Sequence, residues 1–237
     1  MNGVLLIPCV GPMQSWGTRS RFQERDTERE PSKSGIIGML CAALGRDRSE
    51  PVDDMAALKM AVRVDREGKL GKDFQTAEDV AIASGRGTEN LLSNRYYLAD
   101  AAFLIGLEGS FELLETLYTA LARPVWSVFL GRKSYVPTKP LFIDNGLHKD
   151  FALSEVLNRF PLLLESEEIT RRLDAVARGR TDKIRFVIET DSVTHEVRQD
   201  QPRCYAIGRR EFGPRYVTTS YLDFAELALI KEGTPCT

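Results

Sequence analysis

The sequence predicts an α+β fold on the ferredoxin-like plan, with elements in the order βαββαβ and a smaller α+β extension behind them. Three observations lead there. An almost unbroken apolar run opens the chain, two segments with helical spacing each start at a serine, and three further short runs are apolar or alternating in the manner of strands.

Gly3 to Cys9, ended by Gly11-Pro12, suits a strand buried on both faces. Ser34 opens a segment with Ile36, Ile37, Met39, Leu40, Ala43 and Leu44 at helical spacing, closed by Gly45 as the glycine that ends a helix. Met60 to Asp65 alternates and runs into Arg66-Glu67-Gly68, a second strand and its turn, and Ala102 to Leu107 is a third. Ser110 precedes an amphipathic helix through Phe111, Leu114, Leu117, Tyr118 and Leu121, and Val125 to Leu130 reads as the fourth strand. The expected first domain spans 1–135. Within it, 67–100 is far longer than the hairpin connection usual at that point, so this stretch is either disordered or functional.

The extension, 136–237, shows a weak helix at Leu153 to Phe160, a basic helical or irregular segment at Glu168 to Arg178 and a strand at Lys183 to Glu189. Extended pieces follow near Cys204 to Ile207 and Tyr216 to Thr219, but their topology is not legible.

With 237 residues and 43% hydrophobic content, the chain can bury a substantial core. It has no apolar run of about 18 residues and no basic leader, so a soluble, cytoplasmic protein with no membrane partner is expected. Cys9, Cys41, Cys204 and Cys236 are far apart, form no C-x-x-C pair and read as reduced thiols, the first two in the core.

The net charge of -2 does not mark a nucleic-acid binder. The distribution is more informative. Basic residues outnumber acidic ones in three stretches: Trp16 to Arg48, Arg171 to Arg185 and Arg198 to Arg215, which suggests a basic face on a near-neutral protein. Ordinary solvated surface charge is the alternative for any one of them.

Little in the chain suggests catalysis. His148 and His195 are the two histidines, and no zinc-protease, G-x-S-x-G or Cys-His signature accompanies them, so neither a metal nor a cofactor is expected. Lys33-Ser34 lacks the glycine frame of a phosphate-binding loop, and Asp53-Asp54 reads as the acidic start of a helix. What remains is a set of loops mixing glycine with polar, basic or aromatic residues. These are Gly11-Pro12-Met13-Gln14-Ser15-Trp16-Gly17 after the first strand, Pro31-Ser32-Lys33-Ser34-Gly35 at the first helix, and Gly131-Arg132-Lys133 after the expected fourth strand. Glycine admits close approach to backbone amides, a helix N-terminus offers unpaired N–H groups, and Arg or Lys adds charge, so these loops read as grips on a phosphate backbone. Trp16 and the Tyr96-Tyr97 pair are either stacking faces for unpaired bases or packing aromatics.

Those loops, together with Gly38-Met39-Leu40, Leu44-Gly45-Arg46, Tyr97-Leu98-Ala99-Asp100-Ala101-Ala102-Phe103 and Leu130-Gly131-Arg132-Lys133, occur in an order that resembles the CasD family, the fifth Cas subunit of type I-E CRISPR Cascade. The resemblance covers about residues 3 to 140 strongly and the rest loosely. It implies a modified RNA-recognition-motif fold with a thumb at 67–100, and a non-catalytic subunit that caps the 5′ handle of crRNA. It further implies contacts with the Cascade backbone subunit and large subunit, and with target DNA only indirectly through the complex. Carried onto this chain, the RNA-binding candidates are Gln14, Ser15, Trp16, Lys33, Ser34, Arg46, Arg132 and Lys133, with Arg21, Arg25 and Arg48 added on charge and location. A related branch from type I-C systems cuts repeat RNA with a Tyr, Lys and His set. Here Lys133-Ser134-Tyr135 has serine where that histidine would follow, which argues for binding without cleavage. The alternative is a metal-independent endoribonuclease acting on CRISPR repeat RNA.

Overall fold

The apolar run near the N-terminus becomes a strand because successive side chains alternate between two faces and both faces are covered. This strand, β1 (Asn2–Val10), turns Leu5, Ile7 and Cys9 into one hydrophobic cluster and Val4 and Leu6 into another. The computed structural model describes residues 1–19, 23–82, 84–194 and 196–230; Arg21, His195 and Cys236 lie outside them. The elements after β1 are β2 (Met13–Gln14), β3 (Glu24–Arg25), α1 (Lys33–Leu44), α2 (Asp53–Ala56), β4 (Lys59–Arg66), β5 (Lys69–Ala81), β6 (Thr88–Ala99), β7 (Ala102–Ser110) and α3 (Phe111–Ala122). Then come β8 (Leu147–Lys149), α4 (Leu153–Arg159), α5 (Ser166–Ala177), β9 (Lys183–Glu189), β10 (Val197–Cys204), β11 (Glu211–Asp223) and α6 (Phe224–Ala228). The fold is mixed α+β with antiparallel sheets, and no helix among the described residues is long and apolar enough to cross a membrane.

The main sheet runs β10-β11-β9-β4-β7-β1-β8, each neighbouring pair antiparallel. Residues from α1 and α3 join β1, β4 and β7 in the larger cluster on one face, and Leu153, Val156 and Leu157 of α4 cover the other. α1 ends as expected: Gly45 is left-handed (φ 72°), and the Gly45 and Arg46 amides return to Ala42 and Cys41. Its N-cap is Ser32 rather than Ser34.

Two expectations need correction or completion. Val125 to Leu130 is not a strand. After Pro124 the Val125 and Trp126 amides donate to Ala43 O and Ala42 O at 2.9 and 3.1 Å, so the segment satisfies the end of α1 instead of joining the sheet. Val125 and Trp126 are 65% and 48% exposed. The strand that pairs with the outer edge of β1 is β8, in register Gly3↔Lys149 and Leu5↔Leu147. In the C-terminal part, β9 pairs with β4 and is followed outward by β11 and β10, so residues on both sides of 135/136 build one sheet. The Cys204 to Ile207 piece is only marginally extended, since β10 ends at Cys204.

The long stretch 67–100 is a two-stranded ribbon. β5 and β6 pair from Lys69↔Ala99 to Ala81↔Thr88, largely exposed, and about 13 residues at about 3.3 Å each give a reach of about 40 Å. At its base β6 also takes β2 (Gln14↔Leu98) and β3 (Arg25↔Arg95), which fixes the loops after β1 against the root of the ribbon.

Candidate nucleic-acid interface

Two adjoining clefts, of 480 and 510 Å³, share Ser34, Gly35, Gly131 and Arg210 and so form one groove across the start of α1. One end is lined by Ser15, Thr18, Arg25 and Arg132, and the other by Arg46, Arg48, Trp126 and Lys133. Arg25, Arg48, Lys133 and Arg210 are exposed and make no ion pair among the described residues. Arg210 lies 5.1 Å from the centroid of the Phe212 ring. Trp126 and the partly buried Phe129 put aromatic surface beside these cations. Charge for phosphates beside faces for bases is the combination that single-stranded nucleic acid uses.

The structure turns several expected contacts inward. Gln14 is fully buried, with Nε2 donating to Cys9 O and Ala101 O at 2.9 Å and Oε1 accepting from Trp16 Nε1 at 3.2 Å. Trp16, 1% exposed, packs in the core against Gly35, where an added Cβ would come within 2.9 Å of its ring. A stacking face for RNA is therefore not available at Trp16. Ser15 Oγ donates to Tyr96 O at 3.1 Å. Tyr97 packs against Tyr135, their centroids 6.1 Å apart.

Arg132 is also committed. Its guanidinium donates to Tyr135 Oη (2.9 Å), Tyr96 O (3.0 Å) and Arg25 O (3.2 Å), clamping the loop after α3 onto the root of the ribbon. Arg46 holds Asp54 with two bonds of 2.7 and 2.8 Å and Pro51 O with a third, which raises the guanidinium pKa and lowers that of the Asp54 carboxyl. Arg46 is thus half-used, while Arg48 and Lys133 are exposed.

Lys33 shows most clearly why the start of α1 is not an open anion site. Its Nζ lies 2.9 Å from Glu189 Oε1 with the side chain 1% exposed, and its amide donates to Asp200 Oδ2 at 2.8 Å. Ser32 caps Gly35, and the Ile36 amide donates to Ser32 O, so three amides of the first turn are already satisfied. Asp200 is held by Arg215 at 2.9 and 2.8 Å, and Glu30 bridges Arg185 and Arg198. The buried ions therefore tie α1 to β9, β10 and β11 and set where the groove lies. Burial holds the Lys33 pKa below the usual lysine range even though Glu189 pulls it up. Lys33→Met is expected to lower stability by about 1–3 kcal/mol in urea unfolding, less than for a fully orphaned charge, because Glu189 keeps the Met60 amide and Arg215. Lys33 lines neither cleft, so the substitution leaves the surface of the groove unchanged.

Sequence reasoning missed Arg210, Phe212 and Tyr205, whose hydroxyl donates to Ser34 O, and it assigned Trp126 and Phe129 to a strand. The one available signal was the basic stretch from Arg198 to Arg215, which contains Arg210.

Comparison with known proteins identifies the family. The family model described as CRISPR-associated protein (Cas_Cas5) matches residues 4–218. The chain is 32% identical over 160 residues to the CRISPR system Cascade subunit CasD of Escherichia coli (strain K12), covering 60% of this chain and 71% of that protein. A structure described as "Crystal structure of Cas protein" superposes with a TM-score of 0.73 at 39% identity, covering 98% of this chain and 100% of that one. A chain of a CRISPR RNA-guided surveillance complex superposes at 0.75 with 32% identity, covering 93% and 90%. With a family match running through nearly the whole sheet and the groove, this chain belongs to the Cas5 family of CRISPR-associated proteins, the family of CasD.

Proposed function

We propose that this chain is a cytoplasmic subunit of a Cascade-type surveillance complex, that it holds the 5′ handle of crRNA along the groove over α1, and that it does so without cutting RNA. The observation that carries the reading is the set of cations without an ion pair among the described residues, Arg25, Arg48, Lys133 and Arg210, sharing one groove with the exposed Trp126. Membership of such a complex is supported by the two relatives whose names state it. The strand order β8-β1-β7-β4, with α1 and α3 on one face, supports a ferredoxin-like core in which short β8 serves as fourth strand. The β5–β6 ribbon, with a reach of about 40 Å, is read as the thumb and as a surface offered to the backbone and large subunits, with target DNA met only through the assembly.

Binding without cleavage is supported by how Tyr135 is used. It is 4% exposed and its hydroxyl accepts from Arg132, so it cannot approach a ribose 2′-hydroxyl without dismantling the clamp. His148 sits on β8 and is absent from the groove lining.

The test is a triple variant, Arg48→Ala, Lys133→Ala and Arg210→Ala, assembled with its partner subunits. Guide-RNA affinity is expected to fall by about 10- to 100-fold, and the slope of log K against log salt to shrink by about 2, since each single-strand phosphate contact contributes about 0.7. Unchanged retention and slope would remove the groove from consideration. Incubating the parent protein with labelled repeat RNA in EDTA should leave it intact; a defined product with a 2′,3′-cyclic end would establish the endoribonuclease instead.

A further inference from the structure

A second basic surface lies outside the groove, in a 610 Å³ cleft between α5 and β9 that shares no lining residue with the groove. The acids of its lining are already taken. Glu168 pairs with Arg66, Asp182 with Arg172 at 2.7 Å, Glu67 with Arg185 at 2.7 Å, and Asp65 with the buried Arg63 at 2.7 Å. Arg171, Arg178, Arg180 and Lys183 are left exposed, with no ion pair to any described residue. Four positive side chains therefore share a cleft whose lining acids are each paired with an arginine, while Glu167 and Asp174 of α5 stay exposed outside that lining.

Their spacing is regular. Arg171 and Ala175 of α5 and Arg178, the residue that ends the helix, stand at i, i+4 and i+7, with the two arginines about 10 Å apart along the axis. Arg180 and Lys183 continue the row to the start of β9. Ala175 between the arginines leaves room for a polymer backbone to approach the helix.

We propose that this row binds the phosphodiester backbone of a nucleic acid, at a surface separate from the groove. The chemistry favours nucleic acid over an acidic protein. Guanidinium groups match phosphate oxygens with paired donors, whereas a protein interface needs an apolar or aromatic anchor at its centre. The apolar residues of the cleft are Val64 and Ile184, 2% and 1% exposed, and the small Ala175, so no such anchor is present. A polar, strongly positive surface is what a nucleic-acid backbone uses. The inference does not depend on what occupies the groove.

The test uses the full chain with Arg171→Ala, Arg178→Ala, Arg180→Ala and Lys183→Ala together, and separately Ala175→Glu, which sets a carboxylate inside the row. Fluorescence anisotropy follows binding to a DNA duplex of about 20 base pairs, to an oligothymidylate of the same length and to poly-glutamate across a salt series. The fourfold variant is expected to weaken nucleic-acid binding at least about tenfold and to flatten the log K against log salt slope by about 3. Ala175→Glu should weaken binding in the same direction. Loss confined to duplex or to single strand identifies which carries the backbone, and either supports the proposal. Three results would overturn it: unchanged nucleic-acid affinity, loss of poly-glutamate binding alone, or equal loss in a control with the same charge change at Arg123, Lys139, Arg159 and Arg203.

Discussion

Replacing Arg63 with alanine is expected to lower the stability of the chain by about 3–5 kcal/mol, the largest effect of any single side chain considered. Arg63 sits mid-way along β4, completely buried. Its guanidinium donates to both oxygens of Asp65 at 2.7 and 2.9 Å and to the carbonyls of Leu157, Phe160 and Pro161. Those carbonyls lie at and just beyond the C-terminal end of α4, where helix carbonyls have no partner within the helix. Removing the arginine therefore orphans several acceptors and leaves the Asp65 carboxylate with little beyond the Leu163 amide at 2.7 Å. Urea unfolding should show the midpoint falling by more than about 1 M, given slopes of about 1–3 kcal/mol per molar. The double variant Arg63→Met with Asp65→Leu should recover part of the loss, because apolar replacement of a whole buried pair is often tolerated. A single-variant loss under about 1 kcal/mol would mean that these groups find other partners.

Gly131→Ala should damage both stability and the groove. Gly131 has φ 95°, and a Cβ there would lie 1.8 Å from the Ser15 carbonyl oxygen, a backbone atom that no rotamer change can move. The backbone conformation itself costs a residue other than glycine about 1–3 kcal/mol, and relieving the clash means separating the loop after α3 from the loop after β1. That separation would strain the Ser15 N to Leu130 O bond (3.1 Å) and the Arg132 clamp beside it. Guide-RNA retention in the assembled complex is expected to fall at least about tenfold, with the melting temperature several degrees lower. Lys133→Ala, two positions away but exposed, should weaken RNA retention with the melting temperature unchanged. Equal behaviour of the two variants would count against a backbone role for Gly131.

The regular elements were legible wherever hydrophobic period and end signals agreed. The β1 run, the α1 spacing with Gly45 behind it, β7 and α3 could be read because burial repeats at a fixed interval. Val125 to Leu130 failed because apolar residues there cap α1 and line a groove, and composition does not distinguish a strand from an apolar loop. The alternation in β4 identified a strand, but Arg63 and Asp65 face the end of α4 rather than water, which the pattern could not reveal.

For the site, local sequence determined which loops cluster glycine with charge and which cations lie at element ends. Arg25 and Arg48 were named on charge and location and Lys133 on the family resemblance, and all three are exposed. Only the tertiary structure decided which charges were free. Lys33, Arg46 and Arg132 are as basic in sequence as Lys133, yet each meets a carboxylate or carbonyl partner, Glu189 lying 156 positions from Lys33. The same long-range packing brought Arg210 to the groove and left Arg171, Arg178, Arg180 and Lys183 uncommitted at α5. A charge binds a ligand only if folding leaves it unpaired and wet, and its partners are chosen by contacts far apart in the chain.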